Sequence, residues 1–113
     1  MGKESTGSLQ GALDLLVLRS LESRGRMHGY GITVHIQSRS ENVLRVEEGS
    51  LYPALHRMEQ AGWIKAEWKV TGNGRRAKFY SLTRPGRRAL EREAANWERL
   101  AGAIFQVVRR SEV

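Results

Sequence analysis

The sequence predicts a mainly helical fold that contains one small β-hairpin and ends in a long helix. Apolar residues recur at helical spacing from Leu9 to Leu21 and again from Leu90 to Val108. Between them, the segment from Ile64 to Val70 alternates between apolar and polar side chains and leads into a Thr-Gly-Asn-Gly turn at 71–74. Helices followed by such a hairpin are the layout of a winged helix-turn-helix, in which the hairpin is called the wing.

The first segments divide the chain into an arm and a domain. Residues 1–8 are polar and rich in glycine and serine, so we expect a flexible N-terminal arm. The first helix begins at Leu9 and ends at the Arg-Gly-Arg sequence of 24–26. We assign residues 9–83 to the winged helix-turn-helix domain and 84–113 to a C-terminal dimerisation helix.

The second element, which begins near Gly29, supports two interpretations. Tyr30, Ile32, Val34 and Ile36 alternate at period two, which favours a strand, whereas a helix places Ile32 and Ile36 on one face. Periodicity alone leans towards the strand. A helix-turn-helix needs a second helix before the third, so we predict a helix here and leave its bounds open.

The third helix, over residues 50–61, is short and amphipathic. Its inward positions are apolar: Leu51, Ala54, Leu55 and Met58. Its outward positions are mostly polar: Ser50, Pro53, His56, Arg57 and Gln60. Pro53 is tolerated in the first turn, where amides lack an intrahelical partner, and Gly62 is expected to end the helix in the left-handed conformation.

Positive charge is concentrated around the hairpin. The chain has 19 Lys and Arg against 12 Asp and Glu, a formal net charge of +7. Residues 68–90 contain no acid and seven basic residues: Lys69, Arg75, Arg76, Lys78, Arg84, Arg87 and Arg88. Charges that lie together can neutralise neighbouring phosphates and release counterions, so the strip predicts nucleic-acid binding.

The last helix carries a heptad pattern. Thr83 is a good N-cap with Pro85 in the first turn. The apolar positions then follow a 4-3-4-3-4 spacing: Leu90, Ala94, Trp97, Ala101, Ile104 and Val108. Leu100, Phe105 and Val107 broaden the seam. Because the apolar face is longer than one small domain requires, we predict a homodimer through Leu90, Trp97, Leu100, Ala101, Ile104, Phe105 and Val108.

Composition and motifs argue against other classes of protein. A chain of 113 residues without cysteine has no disulfide or thiolate chemistry, and its longest apolar run, Leu15–Leu18, is too short for a membrane span. The three histidines (28, 35 and 56) are not at metal-ligand spacing, and residues 72–74 lack the Gly-Lys-Ser pattern of a nucleotide loop. We therefore expect no metal, no cofactor, no membrane partner and no enzymatic activity, and we expect a cytoplasmic protein that associates with the nucleoid when it binds DNA.

Three segments carry a family resemblance. Gly-Ser-Leu-Tyr-Pro-Ala-Leu-His-Arg-Met-Glu at 49–59, Gly-Trp-Ile at 62–64 and Arg-Arg-Ala-Lys-Phe-Tyr-Ser-Leu-Thr at 75–83 resemble the PadR family of bacterial transcriptional regulators. Residues 13–21 and 28–32 are similar to that family's first two helices. The short tail resembles the compact subfamily with one C-terminal helix. The resemblance implies a homodimeric repressor, bound to double-stranded DNA at a palindromic operator and released by a small, often aromatic, effector.

The resemblance implies DNA contacts on three elements. On the third helix they are Ser50, Tyr52, His56 and Arg57; on the wing they are Asn73, Gly74, Arg75, Arg76 and Lys78; at the start of the second helix they are His28 and Tyr30. For Tyr52, packing is an equal alternative, and Tyr30 is equally a candidate for the core. For Arg57 we favour DNA over a solvated charge. Trp63 and Trp68 are better explained as packing beneath the wing.

Trp97 is open to two interpretations. In a multidrug-binding relative, the resemblance implies, a tryptophan at this part of the last helix pairs with its dimer mate around flat aromatic ligands. Ala94 and Ala101 flank Trp97 and leave room beside it, which makes these three residues a candidate effector site. Packing in a dimer core is the commoner role for such a residue. A ligand sensor built around Trp97 and a winged helix used for protein contact therefore remain alternatives to a DNA-binding regulator.

Overall fold

The computed structural model describes residues 9–109, and the predicted arm at 1–8 and the last four residues of the predicted C-terminal segment lie outside them. The described chain forms four helices and three strands. In chain order they are α1 (Leu9–Arg24), β1 (Met27–His28), α2 (Gly29–Arg39), α3 (Glu48–Gln60), β2 (Ile64–Val70), β3 (Arg76–Leu82) and α4 (Arg84–Arg109). The mainly helical winged fold predicted from the sequence is confirmed.

The sheet is antiparallel with the order β1-β3-β2. β2 and β3 form the predicted hairpin, with Ile64 opposite Leu82 and Val70 opposite Arg76. β1 adds Met27 opposite Tyr80 and His28 opposite Phe79. The sequence did not predict β1, because two residues are too few to show an alternation.

α2 is a helix, as we predicted against the leaning of the periodicity. Ile32 and Ile36 are buried on its inner face, while Tyr30 and Val34 are 63% and 46% exposed. His28 caps the helix: its Nδ1 accepts a hydrogen bond from the Gly31 amide at 2.9 Å. Two buried isoleucines four residues apart and a capped first turn therefore outweigh the strand preference of the β-branched residues.

The core lies where α1 packs against α2, α3, α4 and β3. Its fully buried side chains come from every helix and from the sheet: Val17, Leu18, Leu21, Ile32, Leu51, Leu55, Met58, Ile64 and Ala89. All four inward positions predicted for α3 are buried. The amphipathic pattern of α3 thus fixes which face it leaves to solvent.

The start of α4 is fastened to the turn between α3 and β2. The Thr83 hydroxyl accepts from the Gly86 amide at 3.0 Å and donates to the Gly62 carbonyl at 2.6 Å, which confirms Thr83 as the cap. Gly62 has the expected positive φ of 83°. At Gly86 a β-carbon would collide with the Trp63 carbonyl oxygen, so only glycine allows α4 to approach this closely.

Leu90 is only 4% exposed and belongs to the core of its own chain. Its predicted role in a dimer seam is therefore wrong. The heptad pattern begins at Leu90, but Gly86, Ala89 and Leu90 are buried in the first two turns of α4, the helix that packs against α1. A spacing pattern records that a residue is covered and does not record which chain covers it.

Candidate nucleic-acid interface

The outer face of α3 is polar and exposed. Ser50, Pro53, His56 and Gln60 are all exposed, as predicted, and Tyr52 is 44% exposed beside them. Glu47 occupies the N-cap position and Glu48 the first turn, where the helix dipole favours negative charge. This face offers hydroxyl, imidazole and amide groups and little positive charge.

We predicted that Arg57 extends freely from this face, but its guanidinium is bound to a neighbouring helix. Its guanidinium donates two hydrogen bonds to the Asp14 carboxylate of α1, at 2.8 and 3.0 Å. Asp14 is 10% exposed at its side chain and Arg57 is 40% exposed. These hydrogen bonds raise the pKa of Arg57 further, against the opposing effect of burial. Arg57 is thus bound within the domain, where it ties α3 to α1.

Asp14 was missed by the sequence reasoning. It is an acid inside the apolar stripe of the first helix, in the sequence Leu-Asp-Leu at 13–15. A carboxylate in an apolar stripe requires a buried partner, so this position is the signal that was available. The sequence did not show which of the arginines supplies that partner.

Tyr52 both packs and remains accessible. Its ring lies against Gly29 at the start of α2, and a β-carbon on Gly29 would come within 2.6 Å of the Tyr52 hydroxyl oxygen. The absence of a side chain at Gly29 therefore makes the space that Tyr52 occupies. With 44% of the residue still exposed, the hydroxyl is held at the junction of α2 and α3.

His28 and Tyr30 lie at the same junction. Because His28 Nδ1 accepts from the Gly31 amide, the neutral ring carries its proton on Nε2. The ring also lies 5.3 Å from Phe79 of β3, centroid to centroid. Tyr30 is exposed, which settles the open choice in favour of the surface.

The turn of the wing is closed by its own side chains. The Thr71 hydroxyl donates to Asn73 Oδ1 at 2.6 Å, and the Arg75 amide donates to the same oxygen at 3.3 Å. Gly74 has a φ of 84°, the left-handed conformation that glycine adopts without strain. Asn73 therefore shapes the turn, and Arg75 follows directly after it.

The cations of the wing differ in how they are engaged. Arg75 and Arg76 are exposed. The Arg76 guanidinium carbon lies 4.8 Å from the centroid of the Trp68 ring, a cation–π contact. Lys78 Nζ lies 3.6 Å from a Glu59 carboxylate oxygen on α3, so part of its charge is balanced within the chain.

Trp68 corrects an expectation. The alternation of β2 correctly places Ile64 in the core, but Trp68 and Val70 are 56% and 69% exposed. The hairpin extends beyond the helices, so the later residues of the same face have no core beneath them. Trp63, in contrast, is half-buried and packs against the core.

These elements enclose one open concavity of about 580 Å³ between the wing and the junction of α2 and α3. Most of its walls are aromatic or cationic side chains: His28, Tyr30, Tyr52, Trp68, Tyr80, Arg75, Arg76 and Lys78. Gly29, Thr71, Asn73 and Ala77 complete the lining. Seven of the eleven predicted DNA-binding residues are therefore brought together. Ser50 and His56 lie outside it on the exposed face of α3, Gly74 lies at the wing tip, and Arg57 is paired with Asp14.

A second groove lies where α4 crosses α1. It has a volume of about 380 Å³ and is lined by Leu15, Leu16, Arg19, Ala94, Trp97, Glu98 and Ala101. Among the described side chains, Trp97 Nε1 is buried without a hydrogen-bond acceptor. Beyond this groove, α4 exposes Ile104, Phe105, Val107 and Val108.

Comparison with known proteins defines the class. Residues 17–92 match the model of the transcriptional regulator PadR-like family. A transcriptional regulator of Mycobacterium tuberculosis is 39% identical over 79 residues, which are 70% of each chain. The chain belongs to the PadR-like family and is a transcriptional regulator, not an enzyme.

Two solved structures extend the comparison. A transcriptional regulator from Clostridium thermocellum superposes with a TM-score of 0.81 at 26% identity, over 89% of this chain and 97% of that one. Bacillus subtilis PadR in complex with operator DNA gives a TM-score of 0.64 at 25% identity, over 71% of this chain and 45% of the other. Within residues 9–109, no helix is long and apolar enough to cross a membrane.

Proposed function

We propose that the protein is a homodimeric repressor that binds an inverted-repeat operator. The observation that carries this proposal is the concavity in which the exposed arginines of the wing meet Tyr52 of α3 and the start of α2. The Bacillus subtilis relative bound to operator DNA supports DNA as the partner. Such a regulator acts on the chromosome, so we assign it to the cytoplasm and, when bound, to the nucleoid.

In the proposed complex α3 enters the major groove and the wing follows the adjacent backbone. Ser50, Tyr52 and His56 then face base edges or phosphates, as their exposure allows. Arg75, Arg76 and Gly74 lie at the end of the hairpin, where they reach phosphates or the minor groove. The DNA strand between the two grooves passes through the concavity, beside His28, Tyr30 and Lys78.

The second half of α4 is the proposed dimerisation surface. Ile104, Phe105 and Val108 are about half exposed or more, and they continue the heptad seam from Trp97 and Ala101. A second copy of α4 would cover them along with Leu100. Two-fold symmetry then sets half-sites about one turn, roughly 34 Å, apart.

The first experiment is selection of bound sequences from random duplex DNA by the purified protein at two salt concentrations. We expect an enriched inverted repeat whose affinity falls steeply with salt, because each phosphate contact releases counterions. Salt-sensitive binding without an enriched motif would contradict sequence-specific regulation. Transcription in vitro from a promoter that carries the enriched repeat then distinguishes repression from activation.

Dimerisation is tested by sedimentation equilibrium of an α4 variant. Phe105→Glu places a charge in the proposed seam and is expected to shift the protein to monomers. Gln106→Glu, on the same turn, is the matched control and is expected to leave the dimer intact. A wild-type protein that sediments as a monomer at micromolar concentration would refute the dimer.

A second function, response to a small aromatic effector, is favoured by the groove beside Trp97. The groove is largely apolar and is lined by Trp97, Ala94 and Ala101, so a flat apolar ligand fits it. Quenching of tryptophan fluorescence by flat aromatic compounds tests this. Equal quenching in wild type and Trp97→Phe would move any ligand away from Trp97, Ala94 and Ala101.

A further inference from the structure

We propose that Trp68 is a positioning residue that holds the Arg76 guanidinium ready for the DNA backbone. The inference rests on the proposed function and names a residue that the family resemblance does not assign to DNA binding. Trp68 is 56% exposed, although tryptophan side chains are on average largely buried in folded proteins. Its ring nevertheless has a partner, the Arg76 guanidinium at 4.8 Å.

The register of the hairpin produces this contact. Trp68 stands opposite Lys78, and Val70 stands opposite Arg76. Residues that stand opposite each other in an antiparallel pair point to the same face, so Trp68 and Arg76 are diagonal neighbours on one face. At that separation an indole and a long arginine side chain meet readily.

A cation–π contact leaves the N–H donors of the guanidinium available to other partners. The indole attracts the flat face of the group, whereas the N–H donors lie in its plane and point outward. An arginine held in this way keeps its donors for a phosphate and has fewer rotamers to lose on binding. Trp68 therefore lowers the entropic cost of the Arg76 contact.

Arg76 and Lys78, the two cations on this face of the hairpin, differ in their surroundings. Lys78, on the same face, lies 3.6 Å from Glu59, so its charge is partly balanced within the chain. Trp68 and Arg76 both line the concavity between the wing and α3. The cation–π pair therefore lies beside the path that we propose for the DNA strand.

The test is the affinity of the full-length chain for operator and for random duplex DNA, each measured at several salt concentrations. We compare Trp68→Ala, Trp68→Leu, Trp68→Phe, Arg76→Ala and the double variant of Trp68→Ala with Arg76→Ala. Val70→Ala is the matched control, because Val70 is an exposed apolar residue on the same face of the same strand. Thermal melting of each variant confirms that the fold is retained.

We expect Trp68→Ala and Trp68→Leu to weaken binding about two- to fivefold per wing on both DNAs, the range of an exposed cation–π contact. Trp68→Phe keeps an aromatic face and retains most of the affinity, and Val70→Ala has no effect. In the Arg76→Ala background, Trp68→Ala adds almost nothing, because its role passes through the arginine.

Two results would overturn the inference while the proposed function stands. Wild-type affinity in Trp68→Leu would mean that the aromatic face is irrelevant. If Trp68→Ala weakens DNA binding as much in the Arg76→Ala background as it does in the wild-type protein, the indole contacts DNA itself. If the wild-type protein does not bind DNA at any salt concentration, the proposed function fails first and the inference fails with it.

Discussion

α3 and the wing lie on either side of the junction where Tyr52 meets the concavity, and they differ in their available charge. On α3 the arginine is bound to Asp14 and two glutamates stand at the start of the helix. On the wing, Arg75 and Arg76 are exposed. For the proposed complex, we expect α3 to distinguish bases by hydrogen bonds and shape, and the wing to supply affinity that does not depend on sequence.

The largest effect that this comparison predicts is on the wing. Replacing Arg75 and Arg76 together by Ala is expected to weaken binding to operator and random DNA alike, by roughly a hundredfold at moderate salt. The slope of log affinity against log salt should become shallower by about 0.9 for each phosphate that the variant no longer neutralises. The measurement is a salt titration of both DNAs. A weakening confined to the operator would reverse the roles assigned to the wing and α3.

The next effect concerns the ion pair in which Asp14 balances the charge of Arg57 on α3. Asp14→Ala removes the partner of Arg57 and is expected to cost about 2 kcal/mol of unfolding free energy. Removal of one partner from a fully buried ion pair costs about 3–5 kcal/mol. The cost is smaller here because Arg57 is 40% exposed and water can solvate the charge that remains. Urea denaturation measures it, with Glu22→Ala, in an exposed pair with Arg19, as the control. If Asp14→Ala costs no more than Glu22→Ala, the pair does not fix α3.

A smaller effect is expected at Tyr52, on specificity. Tyr52→Phe removes only the hydroxyl and should lower the ratio of operator to random affinity by about fivefold, roughly 1 kcal/mol for one hydrogen bond. Gly29→Ala should have a similar effect, because its β-carbon displaces the Tyr52 ring. The two affinities are measured at one salt concentration. An unchanged ratio in both variants would limit Tyr52 to packing.

The smallest effect is a pH dependence of the unfolding free energy, and it arises at His35, which lies outside the concavity. Burial, and then Arg24 and Arg39, lower the pKa of His35 from its usual 6.5. His35 and Arg19 both line a separate groove between α1 and α2, which is distinct from the groove beside Trp97. As the pH falls, His35 takes up a proton in the unfolded chain before it does so in the folded protein. The stability that neutral His35 contributes is therefore fully present above pH 6.5 and declines as the pH falls below that value.

The check is urea denaturation at about pH 7.5 and about pH 5, on either side of the usual histidine pKa. His35→Gln should reduce the difference between the two stabilities, while His56→Gln, which changes an exposed residue of α3, should not. An unaltered difference in His35→Gln would assign the pH dependence to other groups.

Much of the architecture follows from local patterns. The spacing of Leu51, Leu55 and Met58 predicts the buried face of α3, and the alternation with the Thr-Gly-Asn-Gly turn predicts the hairpin. Thr83 and Gly62 were identified as cap and terminator from residue type alone. These predictions succeed because each depends on neighbours within one or two turns of chain.

Other features depended on contacts that sequence spacing does not encode. Leu90 fits a heptad but is buried by its own chain, and Trp68 fits the inward positions of β2 but extends past the core. In both cases the pattern gives the direction of a side chain and not what lies in that direction.

The sequence by itself determined the class of fold, the cationic wing and the polar face of α3, because charge and amphipathic spacing are properties of local chain. The tertiary structure alone decided the roles of particular residues. Arg57 and Asp14 are 43 positions apart and become partners only when α3 packs on α1. Gly29 accommodates Tyr52 for the same reason, because the two residues meet only where α2 packs on α3. A side chain's availability for DNA depends on which distant groups already bind it, and only the folded chain brings those groups together.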